Sequence, residues 1–568
     1  MTVELIENLL EILRSENHHD LPKSATGLLQ TKSNENIQVM KSLKNTNGSY
    51  VYFGIEEGLK GIISEEYTEN TIQLLFNIDG LPLYNSSSQQ FWPNLGLIVH
   101  DKYDSNPFIV AVYSGDSKPK NVNDFLKDFV QEVSFLVKNG LNIGQKFFKI
   151  EVIGFSCDTP ARAFIKKCKG HGGFYSCERC ETRGKTINKK RVYPSINSRL
   201  RTKRGFIKQR QREHHLDGRA LLLDIPDFNP VNSVFLDSMH LLYLGITKWI
   251  LQQLLGAKMR VNRKCKLSQN KIKHFNSILN IFTRHISKEF QRKKLDLDSF
   301  AHWKATQFRF FLNYCGALVL RKIVNKKMYH HFLLLVVACR ILNDPELCVE
   351  NINYARDLLK KFFELLPSFY GSDSQIMNSH NLIHIADDVE YTNMPLSAIS
   401  AFPFENFLGK IKRMIGGRNK PLAQLVRRVS EQKACPQMMM KNAIHKKKCL
   451  IVNPDVTHKS KNYLKSIILR GFELNTTKPN NIVKLDSGKV FSITRIQRKR
   501  NSIYLHGYAY KTVTDAFKFP CKSTKVGIMK LGRLSNRKRI ISIDNIFKKC
   551  VLFENGSHSY AVTLLHNS

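Results

Sequence analysis

Two sets of residues in this chain could do chemistry: carboxylates standing where their residue type is unexpected, and Cys and His residues at chelating spacing. Asp79 ends the run Ile72-Gln-Leu-Leu-Phe-Asn-Ile-Asp-Gly, and Asp is disfavoured in strands unless a turn or a site requires it. An Asp79-Gly80 hairpin turn accounts for it equally well. Asp158 follows the apolar run Phe147 to Phe155 and precedes Pro160. A carboxylate at the C-terminal end of a strand is a usual catalytic position in α/β proteins, and it is also a good helix N-cap. Glu405 falls in the first turn of a helix that Pro403 opens, where the helix dipole alone would favour it. The sequel Lys410, Lys412, Arg413, Arg418, Lys420, Arg427 and Arg428 places a basic, phosphate-binding surface beside that acid. Three carboxylates can hold two divalent ions about 4 Å apart, one activating water or a 3′-hydroxyl and the other stabilising the leaving oxygen of a scissile phosphate. Hard oxygen ligands select Mg²⁺ or Mn²⁺. Local reasoning does not rank these three above Asp116, Asp237, Asp387, Asp388 or Glu390.

Cys177-Glu-Arg-Cys180, preceded by Gly170, Gly172 and Gly173, has the spacing of half a zinc knuckle; a redox dithiol is the alternative. His380-Asn-Leu-Ile-His384 supplies an i, i+4 pair that projects both imidazoles from one helix face. Together the pairs make a Cys2His2 tetrahedral set. With four protein ligands the zinc is structural, tying the end of a helical block to an α/β core.

The elements that must position these residues follow from periodicity. A short helix is expected over Val3 to Arg14. From Thr71 onward, apolar runs at Ile72–Ile78, Leu95–Val99 and Phe108–Val112, separated by turn residues, predict three strands. Val122, Phe125, Leu126, Phe129, Val130, Val133 and Leu136 repeat at helical spacing up to Asn139-Gly140. A strand over Phe147–Phe155 and a helix with Pro160 in its first turn follow. The order is β-β-β-α-β-α. Residues 185–215 are basic and read as an exposed loop. Asp237 to Tyr391 is helical nearly throughout, and short β segments resume beyond Pro454, at Ile482–Leu485, Val490–Ile493, Ser502–Ala509 and Ser559–Leu565.

The 568 residues carry 88 Lys and Arg against 47 Asp and Glu, a formal charge of +41. That imbalance points to a polyanionic partner, although an Asn- and Lys-rich composition contributes. No apolar run reaches the ~18 residues that span a bilayer, the start shows no secretory signal, and 12 scattered Cys fit a reducing compartment better than a disulfide framework. Neither a secreted scaffold nor a membrane protein is expected.

The segments Phe76-Asn-Ile-Asp-Gly-Leu-Pro-Leu, Ser117-Lys-Pro, Cys157-Asp-Thr-Pro-Ala-Arg-Ala-Phe, Gly170-His-Gly-Gly-Phe-Tyr-Ser-Cys-Glu-Arg-Cys, Leu236-Asp-Ser-Met-His-Leu, Trp303-Lys-Ala-Thr-Gln-Phe-Arg and Phe402-Pro-Phe-Glu-Asn-Phe-Leu-Gly-Lys resemble the animal transposases of the CACTA (En/Spm-like) group, over about residues 70 to 430. That group is similar in plan to the V(D)J recombinase core. The resemblance implies an RNase H-like α/β core interrupted by a large all-α insertion; the β segments beyond Pro454 add a small, β-barrel-like, β-rich C-terminal domain. With the sequence pattern, the chain divides into an N-terminal helical and polar segment (1–65), a first core part with the zinc knuckle (66–236), the insertion (237–395), a catalytic-Glu helix with its basic segment (396–435) and the β-rich domain (455–568). The resemblance implies DDE catalysis by Asp79, Asp158 and Glu405 with two Mg²⁺ or Mn²⁺ ions, and structural zinc on Cys177, Cys180, His380 and His384. It further implies double-stranded DNA as partner, held by Lys410, Lys412, Arg413, Arg418 and Lys420, a nuclear location and a homo-oligomer. Asp237 and His240 are expected to orient structure. Relatives carry additional N-terminal sequence for recognising element ends, so the alternative is a domesticated or truncated descendant that binds DNA without cutting it.

Overall fold

The apolar runs between Gln38 and Phe235 pair into one sheet. The structure, a computed structural model, describes residues 3–29, 37–63, 67–100, 103–257, 265–284, 286–287, 289–292, 294–434, 443–445, 451–454, 462–469, 471–500, 502–556 and 558–565. The chain is a mixed α/β protein that divides into two units. The first comprises Met1–Gly170, Thr202–Phe235 and Ala401–His445; the second comprises His171–Arg201, Leu236–Ser400 and Lys446–Ser568.

In the first unit the strands lie in the order Gln38–Lys41, Asn47–Tyr52, Phe108–Gly115, Gln90–Ile98, Thr71–Ile78, Lys146–Ser156, Val234–Phe235. Thr71–Ile78 is central. It runs antiparallel to Gln90–Ile98, which in turn runs antiparallel to Phe108–Gly115. On its other side it is parallel to Lys146–Ser156, and that strand is parallel to Val234–Phe235. Phe108–Gly115 is buried along its whole length, as strands covered on both faces must be. The Val122–Asn139 helix buries all seven apolar positions of its sequence pattern and ends at Gly140, with φ of 71°, where only glycine turns left-handed without strain. Phe129 meets Phe76 and Phe155 edge-on at ring-centroid distances of 4.8 and 5.9 Å, and burial of each ring contributes ~2 kcal/mol or more.

A bulge lies close to the candidate carboxylates. The register against Thr71–Ile78 jumps from Leu74↔Val152 to Leu75↔Gly154, and Gly154 takes a φ of 154°. A Cβ there would lie 2.2 Å from the Ser233 carbonyl oxygen, so only glycine lets the Val234–Phe235 strand pass this closely. The bulge re-aims the last residues of the strand, as bulges beside functional sites do.

In the second unit the helices include Lys248–Leu255, Gln269–Phe282, Lys326–Asn343 and Ile352–Tyr370. The helical stretch expected from Asp237 to Tyr391 is interrupted by wider turns at Met239–Thr247 and Phe311–Cys315. Lys326–Asn343 is buried on nearly every side. Its Arg340 side chain, fully buried, donates to the carbonyls of Val526 at 2.5 Å and Asn313 at 2.6 Å and to Thr563 Oγ1 at 2.9 Å. A buried guanidinium needs such partners for each face of its fork. Beyond residue 450 an eleven-stranded antiparallel sheet gives the expected β-rich region, with strands at Ile482–Leu485, Val490–Lys499, Ser502–Tyr510 and His558–Thr563. Residues 455–461 of the segment expected to form it lie outside the described residues.

Two expectations need correcting. Residues 185–215 are not simply an exposed loop: they form a Lys185–Ile187/Lys190–Val192 hairpin and a Lys203–Ile207 helix, because Val192, Tyr193 and Phe206 are buried anchors among the cations. The His171–Arg201 stretch groups with the helices rather than with the sheet, because Cys177, Cys180 and Tyr193 share a small core with Met377. No helix among the described residues is long and apolar enough to cross a membrane.

Candidate metal centres

In the first unit, parallel pairing brings two acids to one sheet end. Phe76 aligns with Phe155, Asn77 Nδ2 donates to the Ser156 carbonyl at 2.6 Å, and the Ile78 amide donates to Cys157 Sγ at 3.3 Å. Asp79 and Asp158 therefore leave neighbouring strands, spaced about 4.8 Å apart, at the same level. Burial pushes the Cys157 thiol up, and the charges of Asp79 and Asp158 both add to that shift. Asp79 is half-buried, and its Oδ1 also accepts the Gly80 amide at 2.7 Å.

Glu405 sits in the first turn of the Phe402–Arg413 helix, which has a proline in its opening positions as expected. Its carboxylate and that of Asp79 have oxygen atoms within 4.8 Å of each other. Asp158 stands outside that close group. It caps the Thr159–Ile165 helix, with Oδ1 accepting the Ala161 amide at 2.7 Å. A carboxylate has a second oxygen with acceptor capacity, so capping and ion binding are compatible. The turn itself is held by Arg162, buried, which donates to the Cys157 carbonyl at 2.8 Å and to Thr159 Oγ1 at 2.9 Å. Sequence reasoning passed over Arg162; its signal was an Arg in the first turn of a helix whose other positions are small or apolar.

The basic residues after Glu405 begin at the other end of its helix, with Lys410, Lys412 and Arg413 in the last turn. Lys412, Arg413, Arg418 and Lys420 are exposed and Lys410 is half-buried. Lys410 donates to Asn106 Oδ1 at 3.2 Å, Lys412 to the Pro82 carbonyl at 2.8 Å, and Arg418 to Ser86 Oγ at 2.8 Å. None of the five pairs with a carboxylate among the described residues, which leaves their charge available to an anion.

In the second unit Cys177, Cys180, His380 and His384 are all buried and offer ligand atoms within 4.8 Å of one another. The sulfurs are 3.5 Å apart and Cys180 Sγ is 3.3 Å from His380 Nε2. Bonds of ~2.3 Å to sulfur and ~2.0 Å to nitrogen around a tetrahedral zinc give ligand separations of about 3.3–3.8 Å. His380 Nδ1 faces the Tyr193 carbonyl, an acceptor only, at 3.0 Å, so Nδ1 carries a proton and Nε2 is the ring nitrogen turned toward the thiols. His384 Nε2 is buried without a hydrogen-bond partner. An orphaned imidazole nitrogen beside two thiols fits a metal ligand better than it fits a core residue. Burial pulls the Cys177 thiol up, yet the Cys180 hydrogen bond and the charges of His380 and His384 hold it well below its usual value. Burial likewise pulls His384 down, but the Cys177 thiolate and Asp387 raise it to about 9. The set therefore favours a thiolate, the form that binds metal.

The competing acids have structural partners. Asp388 forms a buried ion pair with Arg179 and accepts the Leu236 amide at 2.8 Å. Asp387 and Glu390 both pair with Arg356. Asp116 accepts from Thr46 Oγ1 at 2.9 Å. Asp237, at a φ of 43°, holds His240 Nδ1 at 2.6 Å from its Oδ2.

Among families of known sequence pattern, residues 444–564 match the model described as "Domain of unknown function (DUF8592)". No curated protein matches the chain.

Proposed function

We propose that this protein is a DNA transposase with an RNase H-like core, cutting and joining DNA through Asp79, Asp158 and Glu405. The observation that carries the reading is the meeting of Asp79 and Glu405 within 4.8 Å, with Asp158 leaving the adjacent parallel strand. The strand order supports the fold. Numbered along the chain from Thr71–Ile78, the five main strands lie in the order 3-2-1-4-5, with the first three antiparallel and the last two parallel to the first. That is the plan expected of an RNase H-like sheet, and the helical segment 237–395 stands between its last strand and Glu405.

The three carboxylates would hold two Mg²⁺ or Mn²⁺ ions, which supply activation of water or a 3′-hydroxyl and relief of charge on the leaving oxygen. The chain's own part is positioning. Parallel strand ends fix the two aspartates, the Pro403 helix presents Glu405, and Lys412, Arg413, Arg418 and Lys420 attract the phosphate backbone. The Cys2His2 set would hold a structural zinc, with no position left open for substrate. A nuclear site of action and paired-end assembly as a homo-oligomer belong to the same proposal.

The test is cleavage and strand transfer on duplex DNA in Mg²⁺ or Mn²⁺, with Asp79→Ala, Asp158→Ala and Glu405→Ala beside the wild type. Activity lost in all three variants is expected. Equal activity in wild type and variants would remove the catalytic assignment, and an inactive wild type that still binds DNA would favour the non-cutting descendant.

A further inference from the structure

The C-terminal sheet carries a surface that the carboxylate site does not use. Residues 487–514 and 516–543 contain no Asp or Glu. They form three neighbouring strands, Val490–Lys499, Ser502–Tyr510 and Leu534–Ser542. Ile503, Leu505 and Ala509 of the middle strand are buried, whereas Tyr504, His506 and Tyr508 alternate with them on the solvent side, as a period of two requires. Register places Arg495 across from His506 on one flank and Lys538 across from Tyr508 on the other. Lys499 lies over the Tyr504 ring, 6.0 Å from its centroid. Leu534–Ser542 pairs only with the middle strand, so it is an edge, and Arg537, Lys538 and Arg539 on it are exposed.

The charges crowd one another. Partial burial and then the charges of Lys538, Arg495 and Lys499 hold His506 below its usual value. Among the described residues, Arg495, Arg498, Lys499, Arg537, Lys538 and Arg539 have no carboxylate partner. A cationic edge strand can serve merely to block sheet-to-sheet pairing. That role does not require Arg495 and Lys499, two strands in from the edge.

We propose that this face is a second nucleic-acid surface, which grips the phosphate backbone of duplex DNA through Arg495, Lys499 and Lys538, the three cations in register with its solvent side. The strands carrying Arg495 and Lys538 are two sheet spacings apart, about 10 Å, a separation between the widths of the minor groove, about 6 Å, and of the major groove, about 12 Å. A lipid surface fits poorly, because the solvent side offers Tyr hydroxyls, His506 and Gln497, and the large aliphatic residues exposed on these strands are only Leu534 and Ile540, at well-separated positions of the edge. The surface rests on the DNA-directed reading above but not on catalysis by the carboxylates.

The experiment is equilibrium binding of the full chain to a mixed-sequence duplex across a salt series, by fluorescence anisotropy. The wild type is compared with Arg495→Ala/Lys499→Ala/Lys538→Ala and with each of the three single variants. Each lost phosphate contact should flatten the logarithmic salt slope by about 0.9, so the triple variant should lose ~2–3 units of slope and at least tenfold in affinity. These side chains are exposed, and an unchanged melting temperature shows that the fold is kept. If these variants lose binding while the wild type fails to cut DNA, the catalytic reading falls and this surface stands. Wild-type affinity and slope in the basic variants would overturn it. So would a preference of the wild type for single-stranded DNA or for vesicles of anionic lipid over the duplex.

Discussion

Asp158 is given two tasks, and two substitutions separate them. Its Oδ1 accepts the Ala161 amide at 2.7 Å and caps the Thr159–Ile165 helix, and its carboxylate is proposed to hold a divalent cation. Asp158→Ala removes both functions. Loss of a cap costs about 1 kcal/mol, a fall of ~2–4 °C in melting temperature for a domain of this size. Asp158→Asn keeps an oxygen acceptor, and Asn caps as well as Asp, so its melting temperature should stay within about 1 °C of wild type. The charge that grips the ion is lost in both. If it contributes ~3 kcal/mol or more to the transition state, DNA cleavage falls at least ~100-fold in each. The assay is thermal unfolding without added divalent metal beside single-turnover cleavage with it. Cleavage by Asp158→Asn at the wild-type rate would refute the metal role. Equal melting of Asp158→Ala and wild type would refute the cap.

Other outcomes are equally concrete. Purified protein should contain about one zinc per chain by elemental analysis, and Cys177→Ser or His384→Ala should lose it and melt at lower temperature; full zinc content in both variants would exclude the quartet. His331 is buried, its Nε2 bonded to the Phe362 carbonyl at 2.8 Å, and burial lowers it to about 4. Because the folded value lies below the unfolded one near 6.5, its contribution is complete above about pH 6.5 and is lost as pH falls toward 4, ~3 kcal/mol in all. Denaturant titrations from pH 7 to 4 should show that loss in wild type and a shallower one in His331→Gln. Lys549 and Glu289 form a buried pair at 2.7 Å; Lys549→Met should cost ~3–5 kcal/mol by stranding the acid, and adding Glu289→Leu should recover much of it.

The Val122–Asn139 helix and the central strands were legible because each buries one simple period of apolar residues, 3.6 or 2. The quartet was legible as two pairs at short spacing. That Cys177 and His380 meet followed only from each pair being half of a four-ligand set, since no local rule reaches across the 200 residues between Cys180 and His380. Asp79, Asp158 and Glu405 each have a local structural explanation that is sufficient by itself, and the cap on Asp158 is present. Only pairing of parallel strands puts the first two level, and only the fold of the first unit brings Glu405 to Asp79. The misread segment, 185–215, shows the limit of composition: a high density of Arg concealed Val192, Tyr193 and Phe206, whose burial decides how the stretch folds. The wide helical turns at Met239–Thr247 and Phe311–Cys315 left no trace in hydrophobic spacing, because a one-residue lag in a buried helix keeps every position apolar.

The central claim is that three acids remote in sequence form one pocket for divalent cations. Anomalous diffraction from crystals of the full chain soaked in Mn²⁺ tests it most directly. Density between Asp79, Asp158 and Glu405, absent in Asp79→Asn crystals treated alike, is the expected result. Well-ordered crystals that show Mn²⁺ only elsewhere, or none at saturating concentration, would contradict it.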